Sequence, residues 1–290
     1  MTRLCYAGST LQSTPQSVIS GRAPIQLGAE LFGSSAIEAD SEIIGLMLST
    51  FQCAGVSRPL TLDIGHIGIY DALFSDAGLD PELEDQIFDA LQRKSAPDIE
   101  RLSGILPARE AERLAQLVAL HGSPDVLASA RAAFPDELAV MAALDQLDTV
   151  LARVQQAFPD VGVYVDLTEL RGFRYHTGLV FAVYLEGRGS AVAKGGRYDN
   201  VGAVFGRDRP ATGFAIDLKA LVDDADRSEA ADVPVIAPQS DDAGLRAAIT
   251  ALRAAGRTVV MDVAPGVDLP DAERLVLSEG EWVIEGSASS

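Results

Sequence analysis

A chain of 290 residues, 48% of them hydrophobic, has apolar side chains enough for one large folded domain and a smaller one. Its formal charge of −19 repels a phosphate backbone, because nonspecific nucleic-acid affinity comes mostly from lysines and arginines displacing counterions. Two cysteines, Cys5 and Cys53, have no metal-ligand spacing to the three histidines, which argues against a disulfide scaffold or a metal site. No charged-plus-apolar leader and no run of about 18 apolar residues is found, so the expectation is a soluble, cytoplasmic protein with no nucleic-acid or membrane partner.

The first predicted element is a strand over Ile25–Phe32, where Ile25, Leu27, Ala29 and Leu31 alternate with Gln26, Gly28, Glu30 and Phe32. Gln26 and Glu30 share a face with Gly28 between them. That leaves room for a small molecule touched by an amide and a carboxylate, or else describes a strand whose polar face meets water. A helix is predicted from about Asp40 to Cys53, with Asp40 or Ser41 as N-cap and Gly55 as the stop. Pro59–Ile64 reads as a short strand, and His66 beyond it as a hydrogen-bonded structural residue at a strand-to-helix junction.

Between about Pro81 and Phe158 the pattern turns helical, which predicts an all-helical insertion between two sheet-forming regions. Leu138, Met141, Leu144, Leu147, Leu151 and Val154 form the expected buried stripe of its last helix. His121 is expected at a helix C-terminus, favoured there by the helix dipole. The sheet resumes at Val161–Thr168. Tyr175–Leu185 is apolar on both faces after its first residues, as in a central strand, and Glu186–Gly189 make a hairpin turn returning through Ser190–Lys194. Gly195 and Gly196 are expected to turn the backbone past a ligand or another strand, delivering Arg197, Tyr198 and Asp199. Thr212–Leu218 is a further strand leading into a short helix.

The organisation predicted is a core formed by residues 1–80 and 159–222, a helical insertion over 81–158, a charged linker over 223–232, and a small appendage over 233–290. The appendage reads as a β-α-β unit, Val233–Ala237, Asp242–Ala255 and Arg257–Val263, followed by a hairpin over Arg274–Glu285 turning at Glu279 and Gly280.

Taken together, QLGAELFG at Gln26–Gly33, LRGFRYHTGLVF at Leu170–Phe181, and KGGRYDN at Lys194–Asn200 followed by TGFAIDL resemble, in order and spacing, the catalytic core of class II histidyl-tRNA synthetase. The resemblance covers about two thirds of the chain. It implies an α+β fold with an antiparallel sheet flanked by helices, and a histidine site made by Gln26, Glu30, Arg171, Tyr175 and His176 with Arg197 and Tyr198 beside them. Glu30 suits an ammonium, Arg171 a carboxylate, and amide or phenol groups an imidazole.

The departures from that family are equally informative. Gln12 stands about where an ATP-holding arginine is expected, and Lys219 and Ala220 stand where the family has Glu-Arg; uncharged residues cannot replace arginines at a transferring adenylate. Arg174 and His176 replace an Asp and a Tyr of the central turn. These losses resemble the synthetase-like regulatory subunit of ATP phosphoribosyltransferase, which implies no catalytic residues, no cofactor, a short-form catalytic subunit as partner, and L-histidine as the sensed ligand in the first step of histidine biosynthesis. The alternatives are an active histidine–tRNA ligase and a degenerate paralogue with another ligand. The chain begins close to the family's second motif, so it is a fragment or a shortened relative, and self-association is expected to be weakened.

Overall fold

Strand β1, Thr2–Ser9, pairs antiparallel with β2, Ile25–Phe32, from Thr2 opposite Phe32 to Ser9 opposite Ile25. β2 has the predicted bounds; β1 was not anticipated, since its residues are exposed throughout and carry no core-facing pattern. The computed structural model describes residues 1–11, 23–170, 175–224, 233–262 and 272–285, so Gln12, Arg171 and Arg174 lie outside the described residues.

Helix α1, Ile37–Cys53, begins three residues before the expected start, with Ala36 at the N-cap and no side-chain cap. Asp40 is not a cap: it is 1% exposed and turned inward, for a reason given below. Gly55, at φ +73°, takes the left-handed conformation that follows the helix end. Strand β3, Leu60–His66, runs directly into α2, Ile67–Phe74. Helices α3 (Pro81–Arg93), α4 (Ala96–Ser103) and α5 (Ala108–Leu117) follow, then a two-residue strand β4 (His121–Gly122), α6 (Val126–Ala133) and the 20-residue α7 (Leu138–Ala157).

Two expectations in this region are corrected. His121 is not at a helix end: it sits in β4, and its Nδ1 lies 2.7 Å from the Tyr164 hydroxyl. Leu138 is 83% exposed, and the buried face of α7 is Val140, Ala143, Leu144, Leu147, Val150, Leu151 and Val154. At about 100° per residue Leu138 stands some 200° from Val140, on the other side of the helix. The helices of this region share one continuous apolar core with the sheet.

Strand β5, Gly162–Asp166, lies parallel to β3; β6 (Leu179–Leu185), β7 (Ala193–Arg197) and β8 (Ala211–Asp217) complete the sheet, and α8 (Leu218–Asp224) follows. β6 begins four residues later than expected. Gly195 and Gly196 lie within β7 and make no turn. Strand order is β1-β2-β8-β7-β6-β3-β5-β4, antiparallel at every neighbour except β3 and β5. The α+β architecture is the expected one: an antiparallel sheet with helices packed on its apolar face, where Leu31, Leu62, Ile64, Val183 and Ile216 meet α1, α2 and α7.

The chain divides into two compact units, Met1–Asp226 and Arg227–Ser290. In the second, β9 (Val235–Ala237), α9 (Ala243–Ala254) and β10 (Val259–Met261) form the predicted β-α-β unit, and β11 (Glu273–Ser278) with β12 (Glu281–Glu285) the predicted hairpin. Asp242 caps α9, accepting from the Leu245 amide at 2.8 Å, and also accepts from the Trp282 indole at 3.0 Å. A small core of Val235, Leu245, Ile249, Val259 and Leu275 holds this unit together.

Candidate functional site

Residues directly opposed in an antiparallel sheet point to the same face, so the strand register lays out the face away from the helices. One row across it reads Tyr6, Gly28, Ala215, Lys194, Ala182 and Asp63; the next reads Glu30, Gly213, Gly196 and Val180. Lys194 apart, the residues between the ends of both rows are glycine and alanine. The floor is therefore low, and the surrounding side chains stand as walls of a cavity of about 420 Å³, within the size range of small-molecule sites. The glycines are required: a Cβ on Gly213 would overlap the Glu30 carboxylate, and one on Gly28 would strike the Tyr6 ring.

One wall carries the polar chemistry. The Tyr198 hydroxyl donates to Glu30 Oε2, and the Tyr6 hydroxyl is also hydrogen-bonded to that carboxylate. Tyr175 stacks on Tyr198 with ring centroids 5.0 Å apart and planes at 23°, and His176 stands edge-on to Tyr175 at 5.1 Å. Burial pushes the Glu30 carboxyl above its ordinary value, opposed by the hydroxyls of Tyr198 and Tyr6. Burial and then the Glu30 carboxylate push all three phenols upward, so they remain protonated donors at neutral pH. The result is a carboxylate whose hydrogen-bond partners are neutral, beside a stacked aromatic pair, a setting suited to an ammonium or an imidazole.

The predicted site residues divide accordingly. Glu30, Tyr175, His176 and Tyr198 line the cavity together. Gln26 shares the face of Glu30 but lies two rows from it, beyond Gly28 and opposite Asp217, and does not line the cavity. Arg171 lies outside the described residues. Arg197 points the other way, as alternation along β7 demands of the neighbour of Tyr198. It is 6% exposed and donates to Asp40 Oδ2 from Nε at 3.1 Å and Nη2 at 2.7 Å, to Asp199 Oδ1 at 3.0 Å and to the Ser34 carbonyl at 3.1 Å. Burial works against this cation, but the Asp40 and Asp199 carboxylates outweigh it and the net direction is upward. Arg197 braces α1 against β7; this is why Asp40 faces inward.

His66 has the structural role expected of it. Its Nδ1 accepts from the Gly68 amide at 3.1 Å, which leaves the proton on Nε2, 3.2 Å from Gln146 Oε1, and burial lowers its pKa. Sequence reasoning missed Tyr6, Glu169 and Lys194 as lining residues. Lys194 carried a usable signal, since it has the parity of Gly196 and Tyr198; Tyr6 carried none, because only the pairing of β1 with β2 brings it in. Among the described residues no cluster of His, Cys, Asp and Glu is arranged to hold a metal, and no helix is long and apolar enough to cross a membrane.

Comparison with known proteins identifies the family and the fold. A family model described as histidyl-tRNA synthetase matches residues 1–221, and the ATP phosphoribosyltransferase subunit HisZ C-terminal domain matches residues 233–285. ATP phosphoribosyltransferase regulatory subunits from Marinobacter nauticus and Ectopseudomonas mendocina are each 46% identical to the chain, over 98% and 99% of it and 74% of each relative. The crystal structure of an ATP phosphoribosyltransferase regulatory subunit/histidyl-tRNA synthetase from Bacillus halodurans C aligns with a TM-score of 0.74 at 26% identity, covering 92% of this chain and 69% of that one. The ATP phosphoribosyl transferase (HisG:HisZ) complex from Thermotoga maritima aligns with a TM-score of 0.57 at 21% identity, over 74% of this chain and 72% of that one, a likeness of fold. With a synthetase-like sheet, a HisZ-type C-terminal unit and relatives of one name that match nearly the whole of this chain, the chain belongs to the ATP phosphoribosyltransferase regulatory subunit family.

Proposed function

We propose that the chain is the non-catalytic regulatory subunit of a short-form ATP phosphoribosyltransferase, activating the catalytic subunit and binding L-histidine in the cavity over β2, β7 and β8 to impose feedback inhibition. What supports the reading is the contrast between a polar-walled cavity at Glu30 and the residues Gln12, Lys219 and Ala220 at positions where the synthetase resemblance expects ATP-binding residues. Glu30 sits between Tyr6 and Tyr198, equipped for the ligand's cationic or N–H-bearing end. Where the synthetase resemblance expects Glu-Arg, the Lys219 ammonium instead donates to the Ala23 carbonyl at 3.3 Å and Ala220 is 8% exposed. An alanine cannot stabilise charge on a transferring phosphoryl group, so the geometry favours holding an amino acid over activating it.

Inhibition then requires that histidine bind one conformation of the complex better than another, with a coupling free energy of about 1–3 kcal/mol for a modest allosteric effect. The test is reconstitution with a short-form catalytic subunit. The expected result is a rise in phosphoribosyl transfer on adding this chain and its loss on adding histidine. A catalytic subunit whose rate is unmoved by the chain, with or without histidine, contradicts the proposal, and histidine-dependent ATP–pyrophosphate exchange by the chain alone would restore the ligase alternative.

A further inference from the structure

We propose that the free edge of β12 docks a basic strand of the catalytic subunit, which pairs with Trp282 and Ile284 through the backbone and sets cations against Glu281 and Glu285. The proposal rests on the regulatory-subunit reading above and gives it a docking surface in the second unit.

β12 is the outer strand of the sheet ordered β10-β9-β11-β12. Glu279 and Gly280, at φ +52° and +89°, make the two-residue turn into it, so Ser278 and Glu281 are the hydrogen-bonded pair that closes the hairpin. Hydrogen-bonded and non-hydrogen-bonded pairs then alternate, and the N–H and C=O groups of Glu281, Val283 and Glu285 turn toward β11. Those of Trp282 and Ile284 turn outward, where no strand among the described residues meets them. The side chains at this edge are apolar beyond what the unit itself covers, with Val283 41% and Ile284 36% exposed. An added strand satisfies the outward backbone groups and covers both side chains at once.

Charge decides between a second copy and a different chain. Edge strands are commonly guarded by lysine or proline; β12 has neither and carries a glutamate at each end, on the face of Val283. Two copies paired about Val283, in either direction, bring glutamate against glutamate at both ends, and like charges directly opposed in a sheet repel. A strand with lysine or arginine at both ends of the same five-residue register meets those glutamates with attraction, and an apolar residue between them covers Val283. Toward β11, Glu281 is opposite Ser278, and Arg274, opposite Glu285, has its Nη1 3.9 Å from Asp262 Oδ2. The net charge of −19 adds a long-range preference for a basic partner.

The test is titration of a short-form catalytic subunit with the full chain, reading the chain concentration that gives half-maximal activation. Ile284→Pro removes an outward N–H and spares the β11 ladder, since proline is tolerated on an edge strand where its nitrogen faces away from the neighbour; Ile284→Ala trims the side chain and keeps the N–H. Glu281→Lys combined with Glu285→Lys reverses the charge of the edge. Ile284→Pro and the double reversal are each expected to raise the half-activating concentration by roughly tenfold or more, and Ile284→Ala by less than about threefold. Far-UV dichroism and unchanged histidine binding by the chain alone check that the variants fold. A double reversal that activates at the unsubstituted concentration, or equal effects of Ile284→Pro and Ile284→Ala, overturns the proposal and leaves the regulatory reading standing. So does an unsubstituted chain that self-associates in sedimentation velocity and is made monomeric by Ile284→Pro, since the edge is then filled by a second copy. An unsubstituted chain that does not activate the catalytic subunit overturns the regulatory reading itself, and this docking surface with it.

Discussion

Arg197, the last residue of β7, and its neighbour Tyr198 face opposite sides of the sheet and do opposite things. Arg197 meets Asp40 and Asp199, and its charge is answered by charge on the covered side, where α1 packs. Tyr198 meets Glu30 on the open side, where an acid is held by phenols that cannot neutralise it. The first arrangement is closed, since adding a ligand gains nothing that the aspartates do not already provide. The second is open, because a ligand bearing positive charge or an N–H offers Glu30 a stronger partner than a neutral hydroxyl. Burial alone does not separate a brace from a site; the nature of the partner does.

The comparison can be broken first at the brace. Arg197→Met leaves the Asp40 carboxylate buried without its cation and is expected to destabilise the first unit by about 3–5 kcal/mol, read by denaturant unfolding. A loss below about 1 kcal/mol would show that the pair is not structural. On the open face, Gly213→Ala drives a methyl into the Glu30 carboxylate and is expected to cost about 1–3 kcal/mol and to abolish histidine binding, measured by melting and calorimetry on one preparation.

Glu30→Gln sharpens the contrast through pH. The folded-state pKa of Glu30 is raised above its ordinary 4.5, so the folded chain binds that proton more tightly than the unfolded chain. This contribution to stability is fully present below about 4.5 and is lost as pH rises through the raised value. The melting temperature of Glu30→Gln minus that of the unsubstituted chain should therefore grow more positive from pH 4 to pH 7. A difference that falls across that range would mean that Glu30 is stabilised as a carboxylate and is itself a brace, and a flat one that its burial leaves it unshifted.

The smallest expected effect lies in the second unit. Glu279 holds φ +52° before Gly280 at φ +89°, the left-handed pair that a two-residue hairpin turn needs and that asparagine tolerates better than glutamate. Glu279→Asn should stabilise that unit by up to about 1 kcal/mol and leave the cavity untouched, visible as a higher unfolding midpoint with unchanged histidine binding.

Local pattern made the sheet legible wherever a strand announces its own faces. The alternation in IQLGAELF marks β2 to the residue, and the Glu279-Gly280 pair marks the last hairpin. What stayed hidden depends on partners distant in sequence. Asp40 has the local look of a cap, yet its partner Arg197 is 157 residues away and turns it into a buried ion pair. Tyr6 enters the site only because β1 pairs with β2, which nothing in Thr2–Ser9 specifies. Arg197 and Tyr198 were grouped as site residues by the shared motif, although alternation along one strand already separates them. Gly195 and Gly196 suggested a turn by composition, but they serve as flat positions in a strand, where Gly196 keeps the floor low beside His176.

The central claim is that this chain makes a catalytic partner sensitive to histidine through Glu30, and the most direct measurement is histidine inhibition of phosphoribosyl transfer by the reconstituted complex, carried out with the unsubstituted chain and with Glu30→Gln. The account predicts that both chains activate the catalytic subunit equally, while the histidine concentration for half-inhibition rises at least about tenfold with Glu30→Gln, the loss of one charge-assisted contact. Equal histidine sensitivity of the two complexes would contradict it.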